Sequence, residues 1–165
     1  MRIPALAAFT LVVALASPVA SRAQTPWSAE LTAGYAGFLD DATKHFVVLG
    51  GGVRRQVTPR VSIGPEVVVM FGEFRDRNVM LTGNVVFDVY PEQDGRRVTP
   101  FLVGGLGMYW HRELVRGGPY WSSDPAFTAG GGIRARISDA VSASIEYRVG
   151  WEPHQRITGS AGFHW

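Results

Sequence analysis

The chain has 165 residues, no cysteine and a formal net charge of +2 at pH 7. Without cysteine it forms neither disulfides nor thiolate metal sites, and thiol catalysis and a lipoprotein anchor are excluded. A nucleic-acid-binding protein would show a clustered basic excess, which this composition lacks. The length allows a single domain, and we expect no nucleic acid among its partners.

The first 23 residues have the layout of a secretory signal peptide. Arg2 precedes an apolar run that extends to about Ala16, and the segment ends in Ser21-Arg22-Ala23. A membrane-spanning helix needs about 20 apolar residues, and this run is shorter and is interrupted by Ser17-Pro18. We therefore expect a signal peptide over 1–23 that is cleaved after Ala23, and a mature domain over 24–165.

Apolar and polar residues alternate through the rest of the sequence with a period of two. Over 78–90, for example, the even positions include Thr82, Asn84 and Asp88, while the odd ones are apolar or glycine. Such a period is typical of a strand with two unlike faces. Eight segments follow it, over 27–38, 45–57, 60–73, 78–90, 98–111, 125–137, 140–151 and 156–165. No stretch has a convincing helical period, so the pattern predicts an all-β meander of hairpins.

Charged residues on the polar faces are few, lie in the middle of strands and have both signs. They are Arg54, Glu66, Asp88, Arg134, Arg136, Glu146 and Arg148. A solvated sheet face would carry more Lys, Glu, Thr and Ser, whereas a membrane barrel has a polar interior and an apolar exterior. We predict that these residues form a charge network in the lumen, which eight strands leave just wide enough for side chains to fill.

Aromatic residues lie towards the ends of the apolar faces, as in the girdles of membrane barrels. They are Phe71, Phe87, Tyr90, Tyr109, Trp110, Tyr147, Trp151, Phe163 and Trp165. Together with the signal peptide, these features predict an eight-stranded antiparallel up-and-down transmembrane β-barrel in the outer membrane. A soluble periplasmic lipocalin-like barrel with a small apolar ligand is the alternative.

The end of the chain carries a family resemblance. The stretch GGGIRARISDAVSASIEYRVGW, followed by a last strand that ends in an aromatic residue, resembles the closing hairpin of the small outer-membrane barrels, the OmpA- and OmpX-like domains. The resemblance implies that Phe163 and Trp165 act as a barrel-assembly signal, read by the insertion machinery. It also implies outer-membrane lipid and lipopolysaccharide as surroundings, and a structural or surface-interaction role such as adhesion or envelope stability.

The longest link between predicted strands runs from Arg112 to Pro125. Its Gly117-Gly118-Pro119 segment predicts an ordered turn, and exposed aromatic and arginine side chains are common in binding surfaces. The candidates for outer-loop recognition are Arg112, Arg116, Tyr120 and Trp121. The two rings fit the membrane interface equally well, and the arginines suit lipopolysaccharide phosphates or a protein partner.

Glycine runs at 50–52, 104–107 and 130–132 resemble phosphate-binding loops, but no helical pattern follows any of them, as that mechanism requires. We interpret them as strand glycines that relieve crowding in a narrow barrel. His45, His111 and His154 all fall near the predicted outer rim, yet their spacing does not enforce a shared site, so no metal or cofactor is predicted.

Some barrels of this size modify lipids, so an enzyme is a further alternative. Ser122, Ser123, Asp124 and His111 lie at or in the long link. A hydrolytic triad needs its base within hydrogen-bond reach of the nucleophile, and the sequence offers no such register. We therefore expect no catalytic residues.

Overall fold

The computed structural model describes residues 27–38, 45–72, 77–91, 97–115, 118–150 and 154–165, with the backbone alone at 38, 113–115 and 118–120. Its strands are β1 (Trp27–Phe38), β2 (His45–Thr58), β3 (Val61–Phe71), β4 (Arg77–Asp88), β5 (Val98–Val115), β6 (Gly118–Arg136), β7 (Val141–Gly150) and β8 (His154–His164). The predicted signal peptide and its cleavage site lie outside the described residues. Within them, no helix is long and apolar enough to cross a membrane.

The strands form one closed antiparallel barrel in which each strand pairs with the next and β8 returns to β1. The closing pair runs from Ser28 opposite His164 to Phe38 opposite His154. At its end, Trp27 N donates to Trp165 O at 3.1 Å and Trp165 N donates to Trp27 O at 3.0 Å. The predicted up-and-down barrel is confirmed. We call the end of the barrel with Trp27 and Trp165 the terminus end, and the opposite end the loop end.

Two short turns join strands at the terminus end, one between β2 and β3 and one between β6 and β7. The Oγ1 atom of Thr58 accepts hydrogen bonds from the backbone N–H groups of Arg60 at 3.3 Å and Val61 at 3.0 Å. Ser138 N donates to Val141 O at 3.0 Å in the turn between β6 and β7. Hydroxyl and backbone groups thus satisfy each other within a few residues, which is why Thr, Pro and Ser occur there.

The predicted link between Arg112 and Pro125 is wrong, because most of it is strand. β5 and β6 remain paired beyond the rest of the barrel, up to Val115 opposite Gly118. In β5, Arg112 is the last residue with a partner in β4, and in β6, Thr128 is the first with a partner in β7. The hairpin therefore extends past its neighbours as a two-stranded ribbon.

Pro119 and Pro125 are the reason that the sequence predicts a link here. In the structure they lie at the edge of a strand and do not interrupt it. The backbone N–H of Val89 donates to Pro100 O at 3.0 Å, so the even-numbered residues of β5 point their backbone groups towards β4. The register then directs the even-numbered residues of β6 towards β5 and turns Pro119 and Pro125 to the side that has no strand partner. Proline is tolerated at such an edge because no ladder hydrogen bond is lost.

The two faces of the barrel differ as the alternation predicts. Outward side chains are apolar and exposed, and Leu106 (73%), Ile145 (66%) and Leu31 (65%) are among the most exposed. Val67, Val85 and Ile133, which the pattern assigns to the lipid face, point outward too. A water-soluble sheet would bury its apolar face. Here the apolar face is exposed, so it forms the outer wall of the barrel.

The interior is less uniformly polar than predicted. One apolar cluster fills the lumen towards the loop end, and it contains Ala36, Phe46, Val48, Val68, Met70, Met80, Tyr109 and Ala126. Val86, Phe101 and Val103 form a second cluster. Tyr109 was expected in the outer girdle, but it is 3% exposed, and its ring stacks on that of His154 at 6.3 Å. Because Gly104, Gly105 and Gly107 have no side chains, the sequence pattern does not show which face of β5 is apolar.

The glycine runs lie within strands β2, β5 and β6, as interpreted from the sequence. A Cβ atom on Gly107 would overlap the carbonyl oxygen of Leu81, and one on Gly130 would overlap that of Tyr147. Any other residue at these positions would push neighbouring strands apart. The glycines therefore permit the tight curvature of a small barrel.

Ile145→Arg should impair folding into lipid vesicles, because arginine at a lipid-facing midplane position costs about 2–4 kcal/mol. Ile137→Arg is the matched control, since Ile137 is equally exposed at 70% but lies in the turn at the terminus end. The folded fraction in vesicles measures both variants. Equal losses would contradict the assignment of the outer wall to lipid.

Candidate functional site in the lumen and at the loop end

The centre of the lumen holds a carboxylate shared by two arginines. Glu66 on β3 accepts a hydrogen bond from Arg148 Nη1 on β7 at 2.9 Å and ion-pairs with Arg156 Nη2 on β8 at 3.0 Å. The two arginines are each 1% exposed. A buried charge is tolerated only when paired and hydrogen-bonded, so Glu66 connects β3 with β7 and β8, which are distant from it in sequence.

Two further side chains complete the central cluster. Both carboxylate oxygens of Glu146 accept hydrogen bonds from Arg148. Oε1 accepts from Nε, and Oε2 accepts from Nη2 at 2.9 Å. Asn84 donates to Glu66 Oε2 at 2.7 Å. The cluster therefore contains two acids and two arginines and is electrically neutral, which suits a dry interior.

Two more ion pairs lie in the lumen. Arg54 Nη2 is 2.7 Å from Glu30 Oε2. Arg134 Nη1 is 3.0 Å from Asp88 Oδ1, and its guanidinium lies 5.0 Å from the ring centroid of Phe101.

Arg136, the remaining predicted member, lies beside Arg134 at the terminus end. It lines a small depression with Asp88, Ser142 and His164. All the predicted lumen charges thus face the interior.

The sequence prediction missed Glu30 and Arg156. Each is on the inward face of its strand, and Glu30 shares that face with Thr32, as Arg156 does with Thr158. The period of two would have identified both, but β1 has a blurred pattern and Arg156 stands at the predicted start of its strand. Arg156 is one of the two arginines that bind the central carboxylate of Glu66.

The three rim histidines do not converge. The His45 ring contacts that of Tyr35 in a tilted arrangement, with ring centroids 5.6 Å apart. His154 is buried against Tyr109 in the lumen, and is the first residue of β8 rather than part of a link. His111 Nδ1 is 2.6 Å from Asn78 Oδ1. The described residues contain no group of three or more metal-binding side chains.

The predicted serine cluster lies at the loop end. Ser122 is the cross-strand partner of His111, and Asp124 is the partner of Tyr109. The Nδ1 atom of His111 is engaged by Asn78. The arrangement brings serine and histidine to one row, whereas the acidic residue lies in another.

The predicted recognition residues divide between described and undescribed parts. Arg112 and Trp121 are cross-strand partners, and the Arg112 guanidinium lies 5.0 Å from the Trp121 ring centroid. Arg116 and the side chain of Tyr120 lie outside the described part. The other candidate pair, Phe163 and Trp165, lies on the outer wall at the terminus end, where both rings are partly exposed.

Glu66→Gln should destabilise the barrel by about 3–5 kcal/mol, because it removes the charge that compensates two buried arginines. Asp139→Asn is the matched control, since Asp139 lies exposed in the turn before β7 and such changes are usually within about 0.5 kcal/mol of neutral. The unfolding midpoint in urea, measured in detergent, compares them. Indistinguishable midpoints would mean that the central cluster does not stabilise the fold.

No protein-family model matches the sequence, and no curated protein matches it either. The N-terminal β-barrel domain of OprF from Pseudomonas aeruginosa is similar in structure, with a TM-score of 0.68 and 12% identity over 86% of this chain and 98% of that one. Neisserial surface protein A is similar with a TM-score of 0.68 and 8% sequence identity, over 84% of this chain and 95% of that one. Ail, the attachment invasion locus protein of Yersinia pestis, is similar with a TM-score of 0.57 and 11% sequence identity, over 86% of this chain and 99% of that one. Likeness at these identities concerns the fold: the chain has the closed eight-stranded fold of the small outer-membrane barrels that its sequence resembles.

Proposed function

We propose that this protein is an integral outer-membrane β-barrel with a structural or surface-interaction role. The observation that carries the proposal is the exposed apolar wall around a lumen of paired charges. This distribution is the reverse of a water-soluble barrel and is the one that a lipid bilayer requires. Every strand has at least 10 residues, and a tilted membrane strand needs about 9–11.

Aromatic residues near both rims of the wall support insertion. At the terminus end the exposed rings are Trp27, Phe87, Tyr90, Phe163 and Trp165, and towards the loop end they are Tyr35, Phe71, Trp121 and Tyr147. Such girdles mark the two membrane interfaces. The short turns at the terminus end and the long hairpin at the loop end favour an orientation with the terminus end in the periplasm.

The lumen argues against the two alternatives. A lipocalin-like barrel would need an apolar interior cavity and a polar exterior, whereas here Arg148 and Arg156 fill the centre and Met70 and Met80 pack above them. A hydrolytic enzyme would need a nucleophile, a base and an acid within hydrogen-bond reach of one another, whereas Asp124 lies opposite Tyr109, in a different row from His111 and Ser122.

The closing strand suits recognition by the barrel-insertion machinery. Phe163 and Trp165 expose their rings on the wall, and Trp165 also pairs with Trp27 through both backbone groups. A closing strand that presents aromatic rings on the outer wall would be accessible to such machinery during assembly in the periplasm.

The extended hairpin is the part of the chain best suited to a surface role. It projects beyond the pairing of β4 and β7, and rigid barrels commonly carry function on such projections. Neisserial surface protein A and the attachment invasion locus protein Ail share the fold, and Ail has been solved with the heparin analogue sucrose octasulfate. By analogy, we assign interaction at the cell surface to the loop end.

Expressed in cells with an outer membrane, the protein should remain in the membrane pellet after carbonate extraction and should migrate differently on gels before and after heating. Purified and placed in planar bilayers, it should give no stable conductance of porin size, because side chains fill the lumen of a barrel this small. Release by carbonate would favour the soluble alternative. Porin-sized currents would contradict the filled lumen.

Replacing residues 114–119 with a short epitope tests the orientation. The replaced segment ends at the cross-strand pair of Leu114 and Pro119, beyond the last pairing with β4 and β7, so the barrel should fold normally. An antibody should label intact cells. The same epitope at the turn 138–139 is the control and should be labelled only after permeabilisation. The opposite pattern would invert the proposed orientation, and loss of folding would make the hairpin a structural element.

A further inference from the structure

Two arginines face each other on the outer wall at the loop end. Phe71, Arg77, Arg112 and Trp121 are successive cross-strand partners on β3, β4, β5 and β6, and all four side chains are exposed. We call these residues the arginine row. Like charges directly opposite each other destabilise a sheet, so this juxtaposition requires a physical explanation.

No carboxylate of the described residues compensates the arginine row. The ion pairs of Glu30, Glu66, Asp88 and Glu146 are all made inside the lumen, with other arginines. Asp124, the nearest described acid along β6, alternates to the inward side of the strand. Within the described part of the chain, the two guanidinium groups therefore have no acidic partner on the outer wall.

Aromatic rings hold both guanidinium groups in place. The Cζ atom of Arg77 lies 5.2 Å from the ring centroid of Phe71, and that of Arg112 lies 5.0 Å from the ring centroid of Trp121. Cation–π contacts of this kind orient an arginine without neutralising it. A ring that contacts the face of a guanidinium group does not use its in-plane N–H donors.

The arginine row lies where the apolar wall ends. The next row towards the middle of the barrel contains Val69, Val79 and Trp110, and the row after it contains Val67, Leu81 and Met108. In an inserted barrel, the charges would thus lie just above the hydrocarbon region, at the depth of lipid headgroups. Arginine binds phosphate through two parallel hydrogen bonds, and two arginines side by side match a doubly charged phosphate.

We propose that Arg77 and Arg112 bind one phosphate group of lipopolysaccharide in the leaflet at the loop end, with Phe71 and Trp121 packing beside the headgroup. The proposal rests on the proposed membrane insertion. The opposite rim offers an internal contrast: Arg55 lies 5.8 Å from the ring centroid of Trp27, but its cross-strand partners are Trp27 and Ile63 rather than a second arginine. We therefore expect the phosphate site on the outer wall at the loop end, beside the arginine row.

The test measures binding of fluorescently labelled lipopolysaccharide to protein folded in uncharged sugar-detergent micelles. R77Q/R112Q should bind about tenfold more weakly than the unaltered protein, since a hydrogen bond to a charged group is worth roughly that change in affinity. R55Q should bind as the unaltered protein does. After enzymatic removal of the lipopolysaccharide phosphates, the unaltered protein and R77Q/R112Q should bind equally.

Several outcomes would overturn the proposal. Unchanged binding by R77Q/R112Q, or an equal loss in R55Q, would show that no phosphate site exists at the arginine row. Complete competition by millimolar inorganic phosphate would identify a site for free anions instead of a lipid headgroup. The altered side chains are exposed, so each variant should keep its heat-dependent gel migration. A protein that folds in micelles but is released from membranes by carbonate would refute the proposed function, whereas stable insertion without phosphate-dependent binding would refute only the arginine-row proposal.

Discussion

Closure of the sheet between β1 and β8 is the constraint on which the rest of the structure depends. A backbone polar group left without a partner in hydrocarbon costs several kcal/mol, so a sheet can enter a membrane only if it has no open edge there. The pairs from Ser28 with His164 to Phe38 with His154 remove that edge, and the last residue, Trp165, completes it against Trp27. Once the backbone is satisfied, the outward side chains are free to be apolar.

The same closure makes the interior narrow, and this explains both its glycines and its charges. A cylinder of eight strands has little room, so positions such as Gly107 and Gly130 cannot carry a side chain without displacing a neighbouring strand. Charged groups in such a space must meet partners at hydrogen-bond distance. Glu66 serves two arginines at once, and the neutral cluster around it connects β3, β4, β7 and β8. The apolar clusters fill the remaining volume, which suits a rigid scaffold better than a pore.

The two ends of this scaffold differ in a way that separates structure from interaction. Short turns at the terminus end are stabilised by local hydrogen bonds such as those of Thr58. At the loop end, β5 and β6 extend beyond their neighbours, and exposed arginines stand opposite each other beside aromatic rings. Like charges directly opposite each other are unfavourable in an isolated sheet, and this juxtaposition is the ground for proposing a phosphate ligand at the loop end.

The sequence by itself determined the class of fold, the number of strands and, for most strands, the side that faces outward, because a period of two is a local property of the chain. Six of the eight strands begin and end within two residues of the predicted bounds. Only the tertiary structure decided which charges meet. Arg156 and Glu66 are 90 positions apart, and Arg77 faces Arg112, because strand register depends on closure of the whole barrel. The extent of the β5–β6 hairpin was also decided there, since prolines that end a central strand are compatible with an unpaired edge.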